Sequence, residues 1–176
     1  NTDHNLFLLC PGKEVVMSVI EDAISKIEDW KGRNVSFEPL LGGLTNPNYK
    51  VNVDGIPFFV RVPGESTELL AVDRKNEYTN SKAAAEAGVG PKVLYYLPEF
   101  KVMVLEFIEG ETMSKEALNA PGMPTRMAQA IKQLHGGPRF LTDFNMFRIT
   151  EYYLKLCNER NIPIPDGYLD RMPTIE

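Results

Sequence analysis

The sequence predicts an α+β protein in which a five-stranded antiparallel sheet comes before a helical region. Apolar residues alternate along residues 49–53, which is typical of a strand with one buried face. The Asp54-Gly55 pair that follows favours a two-residue hairpin turn into a second apolar run. After residue 110 the apolar residues recur at helical spacing instead, so the rest of the chain is predicted to be helical.

Apolar spacing sets the first helix and the first three strands. Between Gly12 and Ile27, apolar residues recur every three or four positions with charged residues between them, which predicts an amphipathic helix. Strands are then predicted at 35–41, 49–53 and 56–62. Because short polar or glycine-containing turns join these strands, we expect them to form an antiparallel meander.

A second helix and two further strands follow. Residues from about 70 to 87 are rich in Ala, Glu and Lys, and Gly88 ends this predicted helix. The segments 92–96 and 101–107 consist largely of β-branched, aromatic and long apolar residues, which favour strands. These two strands complete the five-stranded sheet.

A change of composition near Glu109 separates the predicted sheet from the predicted helices. Helices are expected at 123–136 and 147–157. We therefore divide the chain into residues 1–108, the sheet with its preceding helix, and residues 109–176, the start of a helical second lobe.

The two ends of the sequence predict that the chain is a piece of a longer polypeptide. It opens at Asn1 without an initiator methionine. It closes on residues 172–176, which complete no predicted periodic element. The helical second lobe is therefore expected to continue past residue 176.

Charge, cysteine spacing and hydropathy limit the partners and the location that the sequence predicts. The net charge of −5 and the lack of a block of like charges argue against nucleic acid or an anionic membrane as a partner. Cys10 and Cys157 have the spacing of neither zinc ligands nor a disulfide framework, which favours a reducing, cytoplasmic location. No apolar run reaches the roughly 18 residues that a membrane span needs, so no span is predicted.

A glycine-containing loop between the first two predicted strands is a candidate phosphate-binding site. Its notable residues are Gly42, Gly43, Thr45, Asn46 and Asn48. A glycine turn between two strands allows backbone N–H groups to close over phosphates. The pattern is neither a Walker A loop nor a full GxGxxG, so an ordinary hairpin turn stays open as the alternative.

An arginine in the middle of an apolar strand is the second candidate. Arg61 lies within the apolar run 58–62, where an unpaired guanidinium is costly to bury. Its possible partners are a nucleotide phosphate and a carboxylate of the following helix. Glu77 lies on that helix beside a stripe of small residues, which predicts an Arg61–Glu77 ion pair. The alternative is an Arg61 exposed on an edge strand and a solvated Glu77.

Three motifs, in order and at suitable spacing, resemble the choline/ethanolamine kinases. They are GGLTNPNYKV at 42–51, VRVPG at 60–64 and DRKNEY at 73–78. Together they resemble the bacterial choline kinases of the phosphorylcholine pathway, within the wider aminoglycoside phosphotransferase group, over roughly residues 35–157. The resemblance implies a protein-kinase-like N-terminal lobe with a C-type helix, followed by the first helices of a second lobe.

The resemblance also implies a set of ATP-binding residues. In this family an arginine often stands where protein kinases use a lysine, which implies that Arg61 contacts the α- and β-phosphates and that Glu77 holds it. The segment 103–110 resembles the interlobe hinge, which implies that the carbonyl of Glu106 and the N–H of Ile108 bond the adenine edge. The predicted set is completed by Gly42, Gly43, Thr45, Asn46 and Asn48.

The family's catalytic loop, HxDxxxxN-like, and its later DxE or DxD segment do not occur in residues 1–176. Those motifs supply the catalytic Asp and the Mg²⁺ ligands, so no catalytic residue is assigned and the Mg²⁺ ligands are expected outside the chain. The resemblance thus implies the ATP-binding portion of a kinase for choline or a related amino alcohol, inactive by itself. The alternative is a non-catalytic kinase-like module that binds a nucleotide or a protein. Apolar faces on the last two predicted helices also predict self-association.

Overall fold

A five-stranded sheet and six helices make up residues 12–40, 46–64 and 72–175, which are the residues that the computed structural model describes. The strands are β1 (Val35–Leu40), β2 (Asn48–Val53), β3 (Ile56–Arg61), β4 (Val93–Leu97) and β5 (Val102–Glu106). The helices are α1 (Gly12–Ser25), α2 (Arg74–Glu86), α3 (Lys115–Leu118), α4 (Met123–His135), α5 (Met146–Glu159) and α6 (Tyr168–Ile175), with a 3-10 turn at Glu28–Trp30. The predicted α+β class is confirmed.

The sheet is antiparallel throughout and has the strand order β1-β2-β3-β5-β4. Asp54 and Gly55 make the turn between β2 and β3 with φ values of 52° and 86°, the left-handed pair that a tight hairpin needs. β3 therefore lies in the middle of the sheet, between β2 and β5. The predicted five-stranded antiparallel sheet is confirmed, because each predicted strand agrees with the structure to within one residue at its described ends.

One face of the sheet is covered by α1 and the 3-10 turn after it. Ile20 and Ala23 of α1 are buried against the sheet, and Trp30 of the turn is buried with them. The same core cluster contains the alternate apolar residues of β2 and β3, such as Val51 and Val60. The predicted helix is confirmed, and Ile20 and Ala23 of its apolar stripe are buried against this face.

The opposite face of the sheet carries the polar residues of β2 and β3. In the antiparallel register Asn48 stands opposite Arg61, and Lys50 stands opposite Phe59. Residues that are directly opposite in such a pair point to the same face, so these four side chains lie together. Strand alternation thus keeps Arg61 away from the core under α1.

The start of α2 is set by a side-chain cap. The Asp73 carboxylate accepts a hydrogen bond from the Asn76 N–H at 2.9 Å, which satisfies a backbone donor that the first turn would leave unpaired. The helix was predicted from about residue 70, and residues 65–71 lie outside the described residues. The observed first helical residue is Arg74, because Asp73 occupies the N-cap position.

The helices predicted in the second half of the chain are confirmed as α4 and α5, but the two short helices α3 and α6 were not predicted individually. The four residues of α3, capped by Ser114, are too few to show a period. The α6 helix follows Gly167 and contains Pro173, which argues against a helix in sequence because proline lacks an N–H. The expectation that the last residues complete no periodic element is therefore wrong for residues 172–175.

The chain divides into two compact units, Asn1–Leu141 and Thr142–Glu176. The first unit contains the sheet and α1 to α4, and the second contains α5 and α6. Within the first unit, the Gln133 side chain on α4 donates to the carbonyl of Ala87 at 2.8 Å. The division at residues 108 and 109 into two kinase lobes stays a prediction. Among the described residues, no helix is both long and apolar enough to cross a membrane.

Candidate functional site

Arg61 occupies the last position of the central strand and is paired with an acidic residue. It stands opposite Asn48 on β2 and Met103 on β5. Its Nη1 donates to Oε1 of Glu77 at 2.8 Å, and 33% of its side chain is exposed. The predicted Arg61–Glu77 ion pair is therefore present. The alternative of an exposed edge strand is wrong, because β3 has neighbours on both sides.

Glu77 lies in the first turn of α2 and is shared between two arginines. Its Oε1 accepts from Arg61, and its Oε2 accepts from Nη1 of Arg74 at 2.7 Å. Only 10% of the Arg74 side chain is exposed. Arg74 is not among the predicted site residues, although it stands one helical turn before Glu77 and lies inside the third motif.

Asn46 ties the residues after the glycine-containing loop to α2 and to the end of β3. Its Oδ1 accepts from Nη2 of Arg74 at 2.9 Å and from the backbone N–H of Gly64 at 3.3 Å. Asn46 was predicted to bind ATP. In the structure its side-chain oxygen is engaged by two protein donors, so this atom has a structural partner already.

Partial exposure and an incomplete hydrogen-bond set make Arg61 suitable for an anion. Its guanidinium shares the Glu77 carboxylate with Arg74, and a third of the Arg61 side chain stays exposed. The Nε of Arg61 and the Oδ1 of Asn48 are buried without a hydrogen-bond partner in the described part of the chain. Since a guanidinium is a strong phosphate ligand, a partly exposed and incompletely paired one fits a nucleotide phosphate. The Asn48 oxygen needs a donor instead and does not itself favour phosphate.

The two predicted adenine contacts lie further along the same sheet. Glu106 ends β5 opposite Phe58, and its N–H donates to the carbonyl of Lys92 at 2.9 Å. Glu106 lies three positions after Met103, which stands opposite Arg61, and this spacing spans about 10 Å at the usual strand rise. Ile108 follows the strand end and is exposed. The predicted phosphate and base contacts are thus spaced along one sheet.

Between these two ends lies a lysine that is not among the predicted site residues. Lys50 shares the face of Arg61, and its Nζ lies 4.6 Å from the centre of the Phe107 ring. The only sequence signal for it is the alternation along β2, which places Lys50 on the same face as Asn48.

Three predicted site residues, Gly42, Gly43 and Thr45, lie outside the described residues. The strands that flank them are described: β1 ends at Leu40, which pairs with Asn48 at the start of β2. Asn48 in turn pairs with Arg61. The loop therefore connects the two strands at the end of the sheet where Arg61 lies.

The second unit contains a cavity of its own that involves none of the predicted site residues. Its volume is about 210 Å³. It is lined by Thr150, Tyr153, Leu154, Cys157, Pro163, Ile164, Pro165 and Tyr168. Within the described parts of the chain, no group of three or more His, Cys, Asp or Glu residues is placed to hold a metal ion.

The sequence matches a known protein family over most of its length. The family model described as choline/ethanolamine kinase matches residues 37–161, more than half of the chain. The chain belongs to the choline/ethanolamine kinase family. The resemblance drawn from the three motifs is thereby confirmed.

Two curated proteins match this family member over parts of their length. Protein LicA of Haemophilus influenzae is 24% identical over 138 residues, which are 77% of this chain and 40% of LicA. Probable ethanolamine kinase A of Dictyostelium discoideum is 31% identical over 112 residues, which are 60% of this chain and 31% of that protein. The match thus spans less than half the length of either curated relative.

Solved structures of the same family share the fold. A choline/ethanolamine kinase family protein from Mesorhizobium loti has a TM-score of 0.69 and 34% identity, over 89% of this chain and 51% of that one. Choline kinase LicA from Streptococcus pneumoniae has a TM-score of 0.67 and 23% identity, and LicA in complex with AMP has 0.67 and 22%. Both of those matches cover 89% of this chain and 53% of the other. The five-stranded sheet with its helices is therefore the fold of the choline kinases, of which this chain spans about half.

Proposed function

We propose that the complete polypeptide containing this chain is an ATP-dependent kinase that phosphorylates the hydroxyl group of choline or a related amino alcohol. The observation that carries the proposal is the central Arg61, which is paired with Glu77 yet keeps a third of its side chain exposed. This arrangement lies in a chain of the choline/ethanolamine kinase family. The relative LicA, with 22% identity, was solved in complex with AMP, which further supports a nucleotide as ligand.

In this proposal the residues of the chain bind and orient ATP. Arg61 contacts the phosphates, and Glu77 fixes the direction of its guanidinium. The backbone of Gly42, Gly43 and Thr45 closes over the phosphates, with Asn48 beside them. The carbonyl of Glu106 and the N–H of Ile108 hold the adenine edge. A nucleotide bound in this way lies along the polar face of the sheet.

The proposal places the catalytic residues and the Mg²⁺ ligands outside this chain. The reaction needs an Asp that orients the acceptor hydroxyl and further ligands that hold Mg²⁺, which would neutralise charge on the transferred group. Residues 1–176 contain neither of the family motifs that supply them. We therefore expect this chain to bind a nucleotide but to transfer no phosphate by itself.

A kinase assay on the complete polypeptide tests the proposed activity. With ATP and Mg²⁺ present, we expect phosphorylation of choline or ethanolamine and no phosphorylation by the 176-residue chain under the same conditions. Homoserine and an aminoglycoside serve as acceptors outside the proposed class. Transfer to none of these acceptors, together with tight ATP binding, would support the non-catalytic module instead. Turnover by the 176-residue chain would contradict the proposed location of the catalytic residues.

We also propose that the isolated chain self-associates through the apolar face of α4. Among the residues of α4, all of which are described, none is buried. Ile131 lies there with 51% of its surface exposed, one turn after the exposed Met127. Such an apolar helical face without a covering element favours association with another copy.

Light scattering on Ile131→Gln tests this association. We expect the unchanged chain to form dimers or larger species at high concentration and Ile131→Gln to shift it towards the monomer. Ile56→Gln is the matched control, because Ile56 is 55% exposed and lies at the β2–β3 turn. A clean monomer of the unchanged chain at high concentration would contradict the proposal.

A further inference from the structure

Arg74 connects three separate segments of the first unit. Its Nη1 donates to Glu77 and its Nη2 donates to Asn46, which lies 28 residues earlier in the chain. Asn46 also accepts from the Gly64 N–H, just after β3. One guanidinium thereby fixes α2 relative to the residue that follows the glycine-containing loop and, through it, to the exit of the central strand.

We propose that Arg74 is a positioning residue for the phosphate end of the nucleotide site. The inference rests on the proposed function, in which Arg61 binds ATP phosphates. Arg74 is 10% exposed and uses its two Nη groups on protein acceptors, whereas Arg61 keeps a third of its side chain exposed. Arg61 is therefore the arginine that meets the ligand, and Arg74 acts through Asn46 and Glu77.

The shared carboxylate gives Arg74 a second effect on the site. Glu77 divides its two oxygens between the two arginines, so loss of Arg74 changes the donors that hold this carboxylate beside Arg61. Hydrogen-bonded charges of this kind act as a network, so loss of one member alters the geometry of the others.

A purely structural role for Arg74 makes a different prediction. An Arg and a Glu three residues apart on a helix form a local pair that stabilises the helix slightly. If that were its whole effect, loss of Arg74 would lower the melting temperature and weaken the binding of every ligand of the site equally. A positioning role instead weakens ligands that carry phosphates and leaves adenosine binding unchanged.

Binding of ATP and of adenosine to the complete polypeptide separates these roles. We expect Arg74→Met to raise the Kd of ATP about tenfold, a typical size for the coupling between contacting groups, and to change the Kd of adenosine less than about twofold. Arg74→Lys should recover part of the ATP affinity, because one ammonium keeps the charge without the planar fork. Arg33→Met is the control, since the Arg33 side chain is 49% exposed and its Nε lies 4.0 Å from a carboxylate oxygen of Asp54.

A double-mutant cycle with Asn46→Ala tests the proposed route. If Arg74 acts through Asn46, the double variant should bind ATP about as well as the weaker single variant rather than adding the two losses. Three outcomes would each overturn the inference while the proposed function stands. They are additive losses of ATP affinity in the double variant, equal losses of ATP and adenosine affinity, and an ATP affinity of Arg74→Met equal to that of Arg33→Met. Failure of the unchanged protein to bind ATP would overturn both. If Arg74→Met does not fold, the same comparisons on Arg74→Lys decide, with an ATP-selective loss supporting the inference.

Discussion

Replacement of Arg61 by methionine should weaken ATP binding by about 10- to 100-fold, since hydrogen bonds to charged groups contribute about 1.5–3 kcal/mol. Methionine keeps an apolar stem against the sheet but removes the charge that the phosphates would meet. Glu77 would keep Arg74 as its partner, so no carboxylate is left buried alone. The loss should therefore appear in ATP affinity more than in the free energy of unfolding. Calorimetric titration of the complete polypeptide measures it.

Adenosine and a distant arginine provide the controls for Arg61→Met. Adenosine carries no phosphate, so its Kd should be unchanged if Glu106 and Ile108 hold the base as proposed. Arg33→Met removes an equal charge at the opposite end of the β2–β3 hairpin and should leave the ATP affinity unchanged, apart from long-range effects that salt screens. Unchanged ATP affinity in Arg61→Met would remove the basis of the proposed phosphate site.

The strands and the Arg61–Glu77 pair follow from local patterns in the sequence. Alternation along β2 and the Asp54-Gly55 turn fix which residues pair and which face they share. An arginine inside an apolar strand needs an anionic partner, and the next helix offers Glu77 at a position that faces the sheet. These inferences need only spacing and the cost of burying charge.

The role of Arg74 could not be predicted from the sequence in the same way. An Arg three residues before a Glu is common on exposed helix surfaces, where such a pair contributes little. What distinguishes Arg74 is its burial and its bond to Asn46, and both depend on how the segment before β2 lies against α2. That contact is tertiary and leaves no periodic trace in the sequence. For the same reason the sequence does not reveal the hydrogen bond between Asn46 and Arg74.

The helices α3 and α6 could not be predicted from the sequence either. A four-residue helix such as α3 has no room for a repeat of apolar residues, and only the capping Ser114 signals it. In α6 the proline at position 173 predicts an end, yet the helix continues to Ile175. A proline at this position lacks the N–H that would donate to the carbonyl four residues earlier, so local sequence argues against the helix that the structure shows.

Replacement of Trp30 by alanine should have the largest effect on stability. Trp30 is 4% exposed, and its ring centre lies 4.9 Å from that of Phe58 on β3 and 5.8 Å from that of Tyr95 on β4. It thereby joins the turn after α1 to two strands that are not neighbours in the sheet. Truncation of a buried tryptophan typically lowers the free energy of unfolding by about 3–5 kcal/mol, because a cavity replaces its packing. Urea unfolding of the chain at low concentration measures this loss.

Two further variants separate packing from polarity at this position. Tyr95 donates its hydroxyl to Asp29 at 2.7 Å, and this hydrogen bond raises the pKa of Tyr95. Tyr95→Phe keeps the aromatic contact with Trp30 and should therefore cost much less than Trp30→Ala. Phe144→Ala removes an aromatic ring that is not buried, since Phe144 is 79% exposed. This variant should leave the free energy of unfolding nearly unchanged. If Trp30→Ala unfolded at the same urea concentration as Phe144→Ala, the helix α1 would not be held to the sheet by this ring, and the covered face of the sheet would need another explanation.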